Sequence, residues 1–444
     1  MSDRNIERLS ADAAFLRARK NDLRRYPSPE RDGDRLYPLA SPRAMPSFRI
    51  APEDTVFAIG SCFARNVERA LEGAGKRVLS REFDLGPIGA SIEDGANFFN
   101  KYSIHSVVSE VRWALERDTF PGRDVLYEVS PDRYVDAQLG MARLDFPPEE
   151  VLAFRHRYLD AVAAVAEADV VILTLGYVET WFDTQLGLYL NVVPPTQLIK
   201  EDPGRFEFRV LSYHDVLQGL EELHALLLRH RRKPLRMLVT VSPVPLLATF
   251  RDMDVLVANA YSKSVQRAAI EEFVQGREGV DYFPSYEFVT LSNPTVAWSR
   301  GDYRHVSGDV VTRIMDGVLA AYVDEGGGAA LSSGALLSSA RMLARLGQHE
   351  ELVALAAAHR EAADRDPEML LLEAAAARRL ERLDASFDAL GKAREAAPDR
   401  PDALERMIML CRPMRQKDRA RALLGEHERA FPGRAEFRDK VTWL

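Results

Sequence analysis

Three side chains able to run acyl chemistry together stand far apart in this chain of 444 residues. Ser61 follows the apolar run VFAIG, Cys62 comes next, and a helix-like pattern, ARNVERALEGAGK, begins at once. Asp302 and His305 lie three residues apart in SRGDYRHVSGDVVTRIM. A serine hydroxyl is a weak nucleophile until a neighbouring base takes its proton. In a turn or first helical turn, i and i+3 fall on one side. Asp302 can then hold one imidazole nitrogen of His305 while the other faces a hydroxyl, as a triad requires. Each residue also has a plainer explanation. Serine is a preferred helix N-cap, and Asp302 could cap a helix running through Val310 to Met315.

Other groups enter the same weighing. Cys62 is the stronger nucleophile by nature, but one step along a helix start turns a side chain about 100° away, so it reads as a small packed residue. Lys263, in ANAYSKSVQRAA, could hold an anionic group or could be a solvated helix lysine. Trp181 and Trp298 could stack on a sugar ring or fill a core. His105 opens a helix near a Gly-rich loop, and His214 reads as part of a helix cap.

The elements that must position these residues alternate. TVFAIG reads as a buried strand, and DVVILTLG, ending in Gly176, as another. LRMLVTVS is a third, and VDYFPSYEFV a last strand with its exit. Between them lie the helical patterns 64–76, KYSIHSVVSEVRWALER, PEEVLAFRHRYLDAVAAVAEA, LSYHDVLQGLEELHALLLRHR and NAYSKSVQRAAIEEFVQG. The alternation predicts an α/β domain over 50–320, a parallel sheet with helices on both faces. Such sheets take their ligands at the C-terminal ends of the strands, where Ser61 sits. Neighbouring N–H groups at a helix start can serve an oxyanion there. Residues 1–49, rich in Pro, Asp and Arg, read as an N-terminal arm.

A small-residue stretch, 321–335, reads as a linker, and strand signals stop after it. Residues 336–444 read as helices with an internal period. Leu346, Leu380 and Met414 are 34 apart, as are Pro367 and Pro401, and Pro398 and Pro432. A period near 34 with two helices per unit is the signature of tetratricopeptide-type repeats, which this tail resembles. Their usual aromatic positions are mostly aliphatic here.

Composition narrows the function class. A formal net charge of −8 argues against a nucleic-acid partner. Two cysteines exclude a disulfide framework. No apolar stretch approaches membrane-span length, and the first twenty residues carry charges throughout. The expectation is a cytoplasmic protein with no metal, no cofactor and no integral membrane segment.

Serine after the first strand and D-x-x-H after the last resemble the SGNH (GDSL-type) hydrolase superfamily. Gly60–Ala64 spells GSCFA, the name of a family within it. FFNKYSIHS, ILTLGYVETW, TVSPVPLLATF, ANAYSKSVQRAA and YFPSYEFV are also similar to that family, in order, so the resemblance spans roughly 55–320 and stops before the tail. It implies an SGNH-type three-layer domain with Ser61 as nucleophile, His305 as base and then acid, and Asp302 as its partner. It further implies an oxyanion hole drawing on the Ser61 and Cys62 N–H groups, Gly176 and an asparagine. The usual G-x-N-D is absent after Gly176, where Tyr177, Val178 and Glu179 follow, so Asn97 or Asn100 is the replacement donor. Val306 stands where the superfamily often has proline.

Two function classes follow. One is a serine ester hydrolase or O-acyltransferase working through an acyl-enzyme on a small-molecule or glycan ester. The other is a non-catalytic interaction protein, with the tail holding a protein partner and the α/β domain a scaffold.

Overall fold

The computed structural model describes residues 7–28, 35–84, 86, 100–139, 146–299, 301–323 and 333–444. The described residues divide into two compact units. One is drawn from 1–292, 298–306 and 317–326, the other from 293–297, 307–316 and 327–444.

The first unit is built on a five-stranded sheet. We label its strands β1 (Thr55–Gly60), β2 (Arg77–Val78), β3 (Val170–Leu175), β4 (Arg236–Val241) and β5 (Val280–Tyr282). The order across the sheet is β5-β4-β3-β1-β2, and every pairing is parallel. This is a doubly wound arrangement, in which chain order reverses between β1 and β3 and opens a crevice at their C-terminal ends.

The register explains the core. Phe57 pairs with Val171, which pairs with Met237; Ile59 pairs with Leu173, which pairs with Val239. These six point to one face, because strand side chains alternate. They pack against the helices Ile104–Leu115, Pro148–Ala163, Tyr213–His230 and Val255–Val274 through Val107, Phe154, Leu220 and Phe273. Three of these helices start at side-chain caps, one of them Asp254, which accepts from Leu256 N–H at 2.8 Å. Ser103 accepts from Ser106 N–H, and Ser212 forms a capping box with Asp215. Ser212, not His214, is therefore the cap expected near that helix start.

Two antiparallel sheets were not anticipated. Leu126–Ser130 pairs with Arg133–Asp136, and Glu179–Asp183 is flanked by Leu188–Leu190 and Phe206–Val210. Trp181 belongs to the second, packed on Phe208 and Phe250. A buried ionic cluster lies beneath them: Arg155 pairs with Glu110 and Asp136, and Lys101 pairs with Glu110 at 3.3 Å. The arm touches this unit, since Ala40 is buried and its N–H donates to Ser292 Oγ at 2.9 Å.

The tail is helical. Its helices are Ser333–Leu346, His349–Ala358, Arg360–Arg365, Pro367–Arg379, Leu383–Ala396, Pro401–Cys411 and Lys417–Ala430, followed by a 3-10 stretch at Pro432–Val441. Within the expected linker, 321–335, a helix runs to Tyr322 and the next opens at Ser333, and 324–332 lie outside the described residues. Gly347, Glu381 and Arg415, 34 apart, all take positive φ (74°, 60° and 58°). The residue after each closes the same bond: Gln348 N to Leu343 O, Arg382 N to Ala377 O, and Gln416 N to Cys411 O, at 2.9–3.0 Å. These are Schellman helix ends. No described helix is long and apolar enough to cross a membrane.

Candidate active site

Ser61 stands at the C-terminal end of β1, beside the crevice. The preceding residue has to be glycine. Gly60 adopts φ +130°, and a Cβ there would lie 2.0 Å from the Thr174 carbonyl oxygen on β3. Thr174 then holds the serine twice. Its carbonyl accepts from Ser61 N–H at 2.8 Å, and its hydroxyl lies 3.0 Å from Ser61 Oγ. Ser61 is only 2% exposed. The N-cap position of the following helix, Ala64–Gly73, is Phe63, but Ser61 also serves the entrance to that helix, its Oγ accepting from Phe63 N–H at 3.4 Å. Of the two main-chain donors expected for an oxyanion, Ser61 N–H is therefore engaged. Cys62 N–H finds no acceptor among the described residues other than its own sulfur.

Gly176 and Asn100 are both brought to this turn. A Cβ on Gly176 would lie 3.5 Å from Ser61 Cβ and 2.9 Å from the Tyr102 carbonyl, so only glycine fits without a shift. The Gly176 N–H already donates to that carbonyl at 3.2 Å. Asn100 bridges Gly60, and Lys101 N–H donates to Gly60 O at 2.7 Å. The buried Lys101–Glu110 pair thus anchors the segment that carries Asn100. Burial pushes the Lys101 ammonium down to about 8, with Glu110 opposing. The Asn100 side chain bonds the Tyr102 hydroxyl. Its carbonyl accepts from Asn191, whose Oδ1 accepts from Tyr102 N–H at 2.9 Å. Asn97, the other asparagine considered, lies outside the described residues. Val178 is fully buried, its N–H on Ser262 Oγ.

Asp302 and His305 form the expected pair. His305 Nδ1 and Asp302 Oδ2 are 2.5 Å apart, and Asp302 Oδ1 accepts from the N–H groups of Arg304 (3.0 Å) and His305 (2.8 Å). The His305 N–H, the imidazole and the Arg304 N–H together hold the carboxyl far below its ordinary range. Asp302 does not cap the next helix; Ser307 Oγ accepts from Val310 N–H there. The loop is closed by Ser299 N–H on His305 O at 2.8 Å and by pairing of Trp298 with Val306. His305 is exposed, and its Nε2 has no partner among the described residues.

Ser61 and His305 do not hydrogen-bond: the hydroxyl rests on Thr174. Arg304 ties the loop to the serine's end of the sheet. Its side chain bonds the Tyr177 hydroxyl, and its charge acts on the Cys62 thiol.

Sequence reasoning missed Thr174, Tyr102, Tyr177 and Arg304. The rings of Tyr102 and Tyr177 stack 5.5 Å apart. Burial pushes the Tyr102 hydroxyl up to about 12. A solvated Lys263 is ruled out, since the residue is 0% exposed. Its Nζ donates to the carbonyls of Gly176 and Val244, both at 2.8 Å. Burial pushes its ammonium down to about 7. Cys62 is half-buried, and burial pushes its thiol up. His105 stacks on Tyr189 at 4.3 Å. Among the described residues no three His, Cys, Asp or Glu side chains converge as metal ligands.

The sequence model of the GSCFA family matches residues 55–317. No curated protein and no solved structure matches the chain.

Proposed function

The chain belongs to the GSCFA family, and on that premise we propose that it is a serine ester hydrolase or O-acyltransferase of the SGNH type. The observation that carries the reading is the Asp302–His305 pair, preformed at 2.5 Å with the outer imidazole nitrogen unbonded among the described residues. Ser61 Oγ exchanges Thr174 for His305 Nε2, which takes its proton as Oγ attacks the ester carbonyl carbon. Catalytic hydrogen bonds of this kind commonly tighten only once substrate is bound. The Cys62 N–H, still without an outside acceptor, donates to the oxyanion. The C–O bond to the leaving alcohol breaks, and His305 returns the proton to that alcohol. Water or an acceptor hydroxyl then attacks the acyl-serine, passing its own proton to His305, and as the acid or the new ester is released His305 returns that proton to Ser61 Oγ.

The tail reads as tetratricopeptide-type units that present a surface to a protein partner. The 34-residue recurrence of helix starts and Schellman ends supports this. A purely scaffolding protein is the competing reading, favoured by the Ser61 hydroxyl resting on Thr174.

A fluorophosphonate probe separates the two. The catalytic reading expects one adduct on Ser61, none in Ser61→Ala, and labelling slowed by about 10⁵ or more in His305→Ala, beyond the loss in Asp302→Asn. An unlabelled wild type that also cleaves 4-nitrophenyl acetate no faster than Ser61→Ala leaves only the scaffold.

A further inference from the structure

Two basic side chains near Ser61 have no carboxylate partner among the described residues. Lys263 is wholly buried, and its only hydrogen-bond partners among the described residues are the two carbonyls of Gly176 and Val244. Arg304 makes no ion pair among the described residues. Its Nε is buried with no hydrogen-bond partner, while another part of the guanidinium meets the Tyr177 hydroxyl. Burying an ammonium without an anion is costly, and such a cost is commonly kept where function uses the charge.

Among the described residues the neighbouring charges leave this pair uncompensated. Arg65, the third cation acting on Cys62, is balanced by Glu68 at 2.9 Å. Asp302 is occupied by His305. Glu179, at the exit of β3, accepts from the Thr249 hydroxyl at 2.8 Å and from Phe250 N–H. The half-buried residues that flank the serine are Cys62, Tyr102, Tyr177 and Arg304. They offer a guanidinium, two phenols and a stacked aromatic surface.

We propose that Arg304, Tyr177 and Lys263 form a subsite for an oxyanion carried by the substrate, a carboxylate or a phosphate group held beside the ester that Ser61 attacks. The inference rests on Ser61 being the nucleophile. Arg304 supplies the direct contact, since a guanidinium presents paired donors to a carboxylate or phosphate. Tyr177 orients that guanidinium. Lys263, one layer beneath, supplies positive potential in a site from which water is largely excluded.

Calorimetry on full-length Ser61→Ala tests the subsite without needing turnover. The probes are sodium succinate, inorganic phosphate and neutral succinamide. At least one anion should bind, succinamide should not, and added NaCl should weaken the anion. Adding Arg304→Gln should weaken it about tenfold or more, the loss of a charge-assisted contact, and Arg304→Lys should restore part. Lys263→Met should weaken it less. Succinate alone binding points to a carboxylate substrate, phosphate alone to a phosphorylated one. Silence from both anions, or binding unchanged in Arg304→Gln and Lys263→Met, overturns the subsite. Wild-type turnover of mono-4-nitrophenyl succinate and 4-nitrophenyl acetate separates the two failures. If Ser61 is not the nucleophile, neither ester is cleaved faster than by Ser61→Ala. If only the subsite is wrong, both are cleaved and neither is preferred through Arg304.

Discussion

Two turns with positive φ mark how differently the halves of this chain are specified. At Gly60 the backbone sits at +130°, and any side chain would enter the Thr174 carbonyl. At the corresponding helix ends of the tail the backbone sits near +60°, and the position holds glycine once, then glutamate, then arginine. The left-handed region near +60° admits ordinary residues at modest cost, whereas +130° admits essentially glycine alone. The sheet unit therefore depends on single residues that cannot be exchanged. The tail takes the same helix-end conformation at three positions that carry three different residues.

The largest expected effects fall on the single residues of the sheet unit. Asp302→Asn should lower the rate of fluorophosphonate labelling by about 10⁴, with a melting temperature close to wild type because both partners are exposed. The Asp302 carboxyl is held below its ordinary range, so it stays ionised through neutral and mildly acidic pH. Its contribution disappears only as pH falls through that lowered value. A labelling rate that survives Asp302→Asn would break the contrast, because the site would then tolerate exchange as the tail does.

Next in size is Gly60→Ala. The added methyl meets main chain rather than a flexible side chain, so neither strand can yield cheaply. The expected cost is upwards of about 4 kcal/mol, read by urea denaturation. A loss under about 1 kcal/mol would mean that β1 shifts to make room and that the serine is not held as tightly as Thr174 suggests.

What could be read from sequence divides along the same line. TVFAIG, DVVILTLG and LRMLVTVS were legible because strands buried on both faces are apolar without interruption. Asp302 and His305 were legible because their contact is local. The antiparallel strand Glu179–Asp183 was not, since Glu179 pairs with Val210, 31 residues on, and its polar residues resemble loop. The partner of the Ser61 hydroxyl was hidden for the same reason: Thr174 comes from a different strand, 113 positions away. Lys263 looked like any lysine on an amphipathic helix. The carbonyls of Gly176 and Val244 and the Tyr177 ring, 5.3 Å from Nζ, are supplied by other segments and support its burial.

Lys263 gives the third test. Burial holds its ammonium at about 7 against an ordinary 10.5. Between those values the unfolded chain binds a proton that the folded chain does not, so stability climbs with pH across that window. Below pH 7 the penalty is fully present. Lys263→Met removes it but leaves the Gly176 and Val244 carbonyls without that donor, so the variant's stability relative to wild type should fall by on the order of a few kcal/mol from pH 7 towards pH 10. Urea midpoints for both proteins across that range measure the difference. A gap that stays constant with pH would mean that the ammonium is not held in a dry site.

The smallest effects belong to the tail, and their signs matter more than their sizes. Gly347→Ala places a Cβ in the left-handed region and should cost roughly 1 kcal/mol. Glu381→Gly and Arg415→Gly relieve the same strain. Glycine gives back part of that gain through the freedom it adds to the unfolded chain, leaving a stabilisation of roughly 0.5 kcal/mol each. Glu381 is exposed, so the backbone term should dominate there. The three ends share one bond pattern, so their responses should follow φ and not position in the chain. Chemical denaturation of the three variants checks this. If Glu381→Gly destabilises, the glutamate side chain carries a role of its own, and the tail is not the exchangeable array that its 34-residue spacing describes.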